Sequence, residues 1–126
     1  LMLEDTIITL LICNTEEKKL YFEVSLSLFK KVSTWNPELS AVPLSMSEAI
    51  EIGRAEAYRK RPQFNSYVCI SASIQSLQPH PKPFLWYWHI VFVPVIDKHI
   101  CYLDRSEIVL LLDGTVIEPK VLNISN

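Results

Sequence analysis

The segment Phe84-Leu-Trp-Tyr-Trp-His-Ile-Val-Phe92 constrains this chain more than any other, because it is apolar on both sides of an extended backbone. Side chains alternate along a strand, so Phe84, Trp86, Trp88, Ile90 and Phe92 share one face while Leu85, Tyr87, His89, Val91 and Val93 share the other. A strand of this kind belongs at the centre of its sheet, or has its second face covered by another chain. A helix covers only one face of a single-layer sheet. Trp86 and Trp88, in register with Ile90 and Phe92, are expected to meet that helix. Tyr87, His89 and Val91 then fall on the opposite face, which must be solvated, covered by the N-terminal segment or buried against a partner. If it is open, these three residues and the isolated Trp35 form the candidate interaction surface.

The helix is written at Ser45-Met-Ser-Glu48, where the serine hydroxyl can accept from the Glu48 amide while the Glu48 carboxylate reaches back to the Ser45 amide. Met46, Ala49, Ile50, Gly53 and Ala57 recur at helical spacing, and the helix is predicted over about Ser45 to Arg61. Gly53 on the apolar face marks a close approach to the sheet. The basic Arg59-Lys-Arg61 suits a helix C-terminus, and Pro62 ends it.

Before the helix, Thr6–Cys13 reads as a first strand, and strict alternation over Leu20–Leu28 reads as a second, joined to it as an antiparallel hairpin. Lys30–Pro43, broken by Trp35-Asn-Pro and Val42-Pro, is expected to be a connecting loop pinned by Trp35. After the helix come strands over Phe64–Leu77, with a serine face that looks wet, over Phe84–Ile96, and over Ser106–Leu112. The proline-spaced Gln78–Pro83 cannot join a ladder. Asp113-Gly114 supplies turn chemistry before Thr115-Val-Ile117. The expected class is therefore α+β, with one helix packed on an antiparallel sheet of roughly four to five strands.

A chain of 126 residues, 49% apolar and 21% charged, is expected to form one domain over 1–126, with strands and a loop in 1–43 preceding a helix-and-sheet unit in 44–122. A net charge of −2 from scattered residues offers no field for phosphates, so a nucleic-acid partner is disfavoured. No apolar run approaches the ~20 residues of a membrane-spanning helix. Cys13, Cys69 and Cys101 lie far apart and read as small core residues, with one bridge open to an exported protein. The acidic Leu3–Cys13 stretch is not a signal peptide. A start at Leu1-Met2 fits an expressed fragment as well as a processed form whose leader is gone.

No residue pattern announces a reaction. His99-Ile-Cys101 with Asp97 and Asp104 is the densest donor set, but a zinc site wants paired spacings and the second half is missing, so incidental loop residues are expected. His80 and His89 have no carboxylate or nucleophile at a diagnostic spacing, and His89 reads as a satisfied sheet histidine. Ser71 and Ser73 lack a nucleophile elbow, and two glycines cannot build a phosphate cradle. No catalytic residue, metal site or cofactor is therefore expected.

The order of a capped helix at Ser45-Met-Ser-Glu-Ala-Ile50, an aromatic strand at Trp86-Tyr-Trp-His-Ile-Val-Phe92 and a close at Leu110-Leu-Leu-Asp-Gly-Thr-Val116 resembles the PepSY type of domain. The resemblance covers about residues 44–118. It implies a cystatin-like fold, export in bacteria, and binding or restraint of partners, including proteases. The strands before Pro43 have no counterpart in that minimal domain, and the cystatin inhibitory pattern Gln-x-Val-x-Gly is absent. The function expected is a small non-catalytic binding or regulatory module that engages a protein partner or a second copy. The alternatives are a toxin-immunity-type inhibitor and a small enzyme with a cone-shaped pocket.

Overall fold

The computed structural model describes residues 5–15, 17–77 and 84–124. In chain order these form β1 (Ile7–Asn14), β2 (Lys18–Ser25), α1 (Leu26–Ser33), α2 (Met46–Lys60), β3 (Tyr67–Leu77), β4 (Leu85–Ile96), β5 (His99–Ile100), β6 (Ser106–Leu111) and β7 (Lys120–Asn123). The class is α+β, but with two helices and two antiparallel sheets. One sheet runs β1-β2-β7, and in the other β4 pairs with β3, β5 and β6. The Gln78–Pro83 loop and His80 lie outside the described residues.

The aromatic strand is central. β4 pairs with β3 from Leu85 to Pro94 and with β6 from Tyr87 to Phe92. Trp88, Ile90 and Phe92 face α2 and join Ala49, Ala57, Ile108 and Leu110 in one core. Three of the buried positions of α2 are the small residues Ala49, Gly53 and Ala57, which lets the helix settle onto large sheet side chains. A Cβ on Gly53 would lie 3.0 Å from the Phe92 ring and 3.5 Å from Ile90, so the absence of a side chain sets the spacing. The predicted capping box is present, with Glu48 N–H donating to Ser45 Oγ at 3.1 Å and Ser45 N–H donating to Glu48 Oε1 at 3.2 Å. The Trp88 indole donates to the Leu44 carbonyl at 3.1 Å, so the ring is buried without an orphaned N–H.

Two expectations for the N-terminal third are corrected. The alternation of Leu20–Leu28 does not continue as strand, and Lys30–Pro43 is not all loop, because α1 occupies Leu26–Ser33. Leu26, Phe29 and Ser33 also fit helical spacing, and hydrogen bonding at the helix start, one bond local and two from far in sequence, favours that period: Ser25 caps the helix by accepting from Leu28 N–H, and the Asp5 carboxylate receives Ser27 N–H at 3.2 Å and its hydroxyl at 2.5 Å. Phe29 is fully buried, and the Ser33 hydroxyl accepts from Leu112 N–H at 3.0 Å, stitching α1 to the end of β6.

A further correction concerns the other face of β4. Tyr87 is only 4% exposed and Val91 1%, so neither stands on an open surface. Of the three covers considered above, the N-terminal segment is the one found over Tyr87. Leu10, Phe22, Val24 and Phe29 pack there against Leu85, Tyr87, Val109 and Leu111. β7, which follows Pro119 and was not foreseen, pairs with β2 from Lys120 to Asn123 and completes this layer. Trp35 is the expected loop anchor. Its ring meets Trp86 edge to face at 5.1 Å, its indole donates to the Ser40 carbonyl at 3.1 Å, and its own carbonyl accepts from Trp86 at 3.0 Å.

Glu56 is the one buried carboxylate on α2, and Arg59 holds it there while also reaching Glu118 at 2.7 Å. Hydrogen bonding from Arg59 draws the Glu56 carboxyl below its ordinary value of 4.5, against the opposing effect of burial. A carboxyl whose folded value lies below its unfolded one adds stability above the unfolded value and loses it as pH falls through the folded one.

Two stability measurements follow. Gly53→Leu should lower the urea midpoint by overpacking the α2–β4 contact, at a cost of about 1 to 3 kcal/mol, and Trp88→Ala should cost about 3 to 5 kcal/mol. An unchanged midpoint for Gly53→Leu would contradict the helix placement. As pH is lowered through and below 4.5, wild type should lose more stability than Glu56→Gln, and parallel pH profiles would show that the Arg59 contact contributes nothing.

Candidate functional site

The most unusual polar grouping sits at the seam between the two sheets. β1 carries a β-bulge between Thr9 and Leu11, where Leu10 is left without a partner on β2. A bulge shifts the inward phase of a strand by one residue. Ile8 and Leu10 point inward before it, and Leu11 and Cys13 after it, while Ile12 turns out to solvent. The bulge is therefore what aims Cys13 at the central sheet. The carbonyl it leaves unpaired, that of Leu10, accepts from the Tyr87 hydroxyl at 2.9 Å, with Gln75 Oε1 at 3.2 Å from the same hydroxyl.

His89 and Glu107 meet Cys13 from β4 and β6. Val91 lies opposite Glu107 in the ladder and His89 opposite Val109, so His89 and Glu107 are diagonal neighbours on one face. His89 Nε2 lies 2.6 Å from Glu107 Oε2, and Arg105 Nη2 lies 3.3 Å from Glu107 Oε1. Both His89 and Glu107 are mostly buried. The Cys13 sulfur, a His89 ring nitrogen and a Glu107 carboxylate oxygen all lie within 4.8 Å of one another.

Thiol, imidazole and carboxylate could in principle serve as nucleophile, base and orienting acid. The environment of Cys13 opposes that use. Burial first, and the Glu107 charge second, raise its thiol from the ordinary 9.0 to about 11, with Arg105 pulling weakly the other way. A nucleophilic cysteine needs the opposite shift. Among the described residues no buried side-chain nitrogen or oxygen lacks a hydrogen-bond partner, so no side chain offers an unspent donor to a developing oxyanion.

Compared with protein-family models, with curated proteins and with solved structures, the chain matches none. Its function has to be argued from its own surfaces.

The residues singled out in the sequence are distributed as follows. Tyr87 and Val91 are interior, Trp35 is a half-buried anchor, and His89 belongs to the seam cluster. His89 is a satisfied sheet histidine, as expected, but its carboxylate partner is supplied from eighteen residues away. His99 and Cys101 stand apart from that cluster at the β4–β5 hairpin, with Asp97 and Lys98 forming its turn. All three cysteines are free and half-buried.

That hairpin is the second distinctive place. Asp97 and Lys98 both hold positive φ, 49° and 66°, in a turn position that normally selects asparagine and glycine. The hairpin and the turn after it are braced from below: Arg61 donates to the Arg105 carbonyl at 2.9 Å, Cys101 N–H to the Pro94 carbonyl at 3.0 Å, and Val95 N–H to the Ser66 carbonyl at 2.9 Å. That turn, between β5 and β6, forms an exposed tip in which Leu103 is 94% exposed and Tyr102 59%, and Ile96 and Ile100 of the hairpin are exposed as well. Among the described residues, no helix is long and apolar enough to cross a membrane.

At pH 8 Cys13 of the folded chain should react with iodoacetamide roughly a hundredfold more slowly than in urea-unfolded chain, the ratio of thiolate expected between 9.0 and about 11. Mass mapping of the labelled peptide measures this. Equal rates in the two states would mean that Cys13 is not held in the seam.

Proposed function

We propose that this chain is a small non-catalytic binding or regulatory module that engages a protein partner through the exposed tip formed by the turn between β5 and β6. The observation that carries the reading is the presentation of the almost fully exposed Leu103 and the exposed Tyr102 on a braced turn between β5 and β6. Contact residues held rigid before binding lose little conformational freedom when a partner covers them. An aromatic and an aliphatic anchor side by side are the residue types that dominate binding energy at protein interfaces.

The PepSY-like reading of residues 44–118, with export as its implied location, belongs to the same proposal. What supports it is α2 lying across β3, β4 and β6, followed by the turn that returns Val116 to Leu110. On that reading α1 and the β1-β2-β7 layer are additions to a minimal binding domain. They occupy the sheet face that would otherwise be open, which moves the contact surface from Tyr87 and Val91 to the tip.

The test is recovery of partners from the native source with wild type, Leu103→Asp and, as a control on the exposed β7 strand, Val121→Asp. A partner retained by wild type and by Val121→Asp but lost with Leu103→Asp is the expected result. Equal retention by all three would remove the tip from consideration. Sedimentation of the same three proteins distinguishes a second copy of the chain from a different protein.

A further inference from the structure

We infer that Cys13, His89 and Glu107 form a site for one divalent cation of zinc's class, clamping the N-terminal layer to the central sheet. The inference is independent of the partner reading, and it reverses the expectation of no metal, which rested on spacing along the chain. The three donors come from β1, β4 and β6, and therefore from two different sheets. Donor atoms around a tetrahedral zinc, with bonds of about 2.0–2.3 Å, sit roughly 3.3–3.8 Å apart. Three donors already within 4.8 Å of one another need shifts of only about 1 Å to close on an ion.

The donor types decide the class of ion. A thiolate excludes magnesium and calcium as preferred guests, and the mixture of sulfur, imidazole and carboxylate is the set that zinc accepts. Charge points the same way. A thiolate and a carboxylate together balance a dication, leaving a neutral centre in a half-buried seam where an unbalanced charge is costly. On binding, the Cys13 S–H bond breaks and its proton leaves to solvent as the S–metal bond forms. His89 coordinates as a neutral imidazole, any proton on the coordinating nitrogen passing through solvent to its other ring nitrogen, and no electron changes hands. With three protein donors, the fourth position is left to water or an outside ligand.

The surroundings are those of a supported site. Tyr87 holds the bulge carbonyl that aims Cys13, and Arg105 holds the outer oxygen Oε1 of Glu107, leaving Oε2 toward the seam. Arg105 is itself half exposed and free to turn its charge toward solvent as the ion enters. His99 and Cys101, on the hairpin, provide the competing surface donors that any test must separate from this cluster.

The experiment uses the reduced full chain with cobalt(II) as a spectroscopic probe and zinc as its competitor. One equivalent of cobalt should give a thiolate charge-transfer band that zinc displaces, in wild type and in Cys101→Ser and His99→Gln alike. Cys13→Ser should lose the band, and His89→Gln and Glu107→Gln should weaken binding at least about tenfold. Zinc should raise the melting temperature of wild type by more than that of any of the three seam variants. Should Cys13→Ser fail to fold, Glu107→Gln, which keeps side-chain shape, carries the same comparison. A folded wild type that gives no band, or a band that survives Cys13→Ser and vanishes in Cys101→Ser, would overturn the inference.

Discussion

The fold depends on burying both faces of β4. Each face is handled by a different strategy. On one side the sheet supplies bulk, through Trp88, Ile90 and Phe92, and the helix supplies near-absence of side chain, through Ala49, Gly53 and Ala57. On the other side the sheet supplies Leu85, Tyr87, Val109 and Leu111, and bulk comes from Phe22 and Phe29 of the covering layer. The two arrangements are not interchangeable, since large side chains on α2 would push it away from the sheet, whereas small ones on β2 and α1 would leave a void against Tyr87. Strand, helix and covering layer are therefore fitted to one another through a single ladder position.

How much of this is legible in the sequence depends on how local the governing interaction is. The helix α2 is read correctly to within a residue because its capping box is complete within four positions, Ser45 to Glu48. The central strand is read correctly because its apolar run leaves no other place for it. α1 is missed because Leu20, Phe22, Val24, Leu26 and Leu28 satisfy a period of two, and the contact that decides otherwise, Asp5 to Ser27, spans twenty-two residues. The seam is harder still. Cys13 faces inward only because of a bulge, and nothing in Thr9-Leu10-Leu11 announces one. Its companions His89 and Glu107 are joined by ladder register, a property of paired strands that no single segment contains.

The two distinctive places divide the molecule's chemistry between them. Polar groups of the seam lie where the layers meet, and they are fully engaged with each other: Tyr87 with Leu10 and Gln75, Gln75 with Ser73, His89 with Glu107, Glu107 with Arg105. The tip is the reverse, apolar side chains on an outward frame whose backbone bonds are satisfied while its side chains are not covered. One place is organised to join parts of this chain, the other to present itself outward. The positive φ values at Asp97 and Lys98 belong with the second, because a tight turn of that hand keeps β4 and β5 close and so fixes where the chain enters the exposed turn after β5.

The position of β7 bears on the order in which the molecule can be assembled. Its partner is β2, so the ladder from Lys18 to Tyr21 waits for residues roughly a hundred positions further along. On a growing chain the β1–β2 hairpin can close as soon as it leaves the ribosome, but its second edge stays unpaired until β3 to β6 have been made. Loop closure over that distance is slow compared with hairpin formation. The pairings of the helix-and-sheet unit lie much closer together in sequence, so it is expected to form before β7 closes onto β2. Whenever the covering layer docks after that unit has formed, Tyr87 and its apolar neighbours on β4 are bare in between, and this is the face through which a chaperone or a misfolded copy would capture the chain.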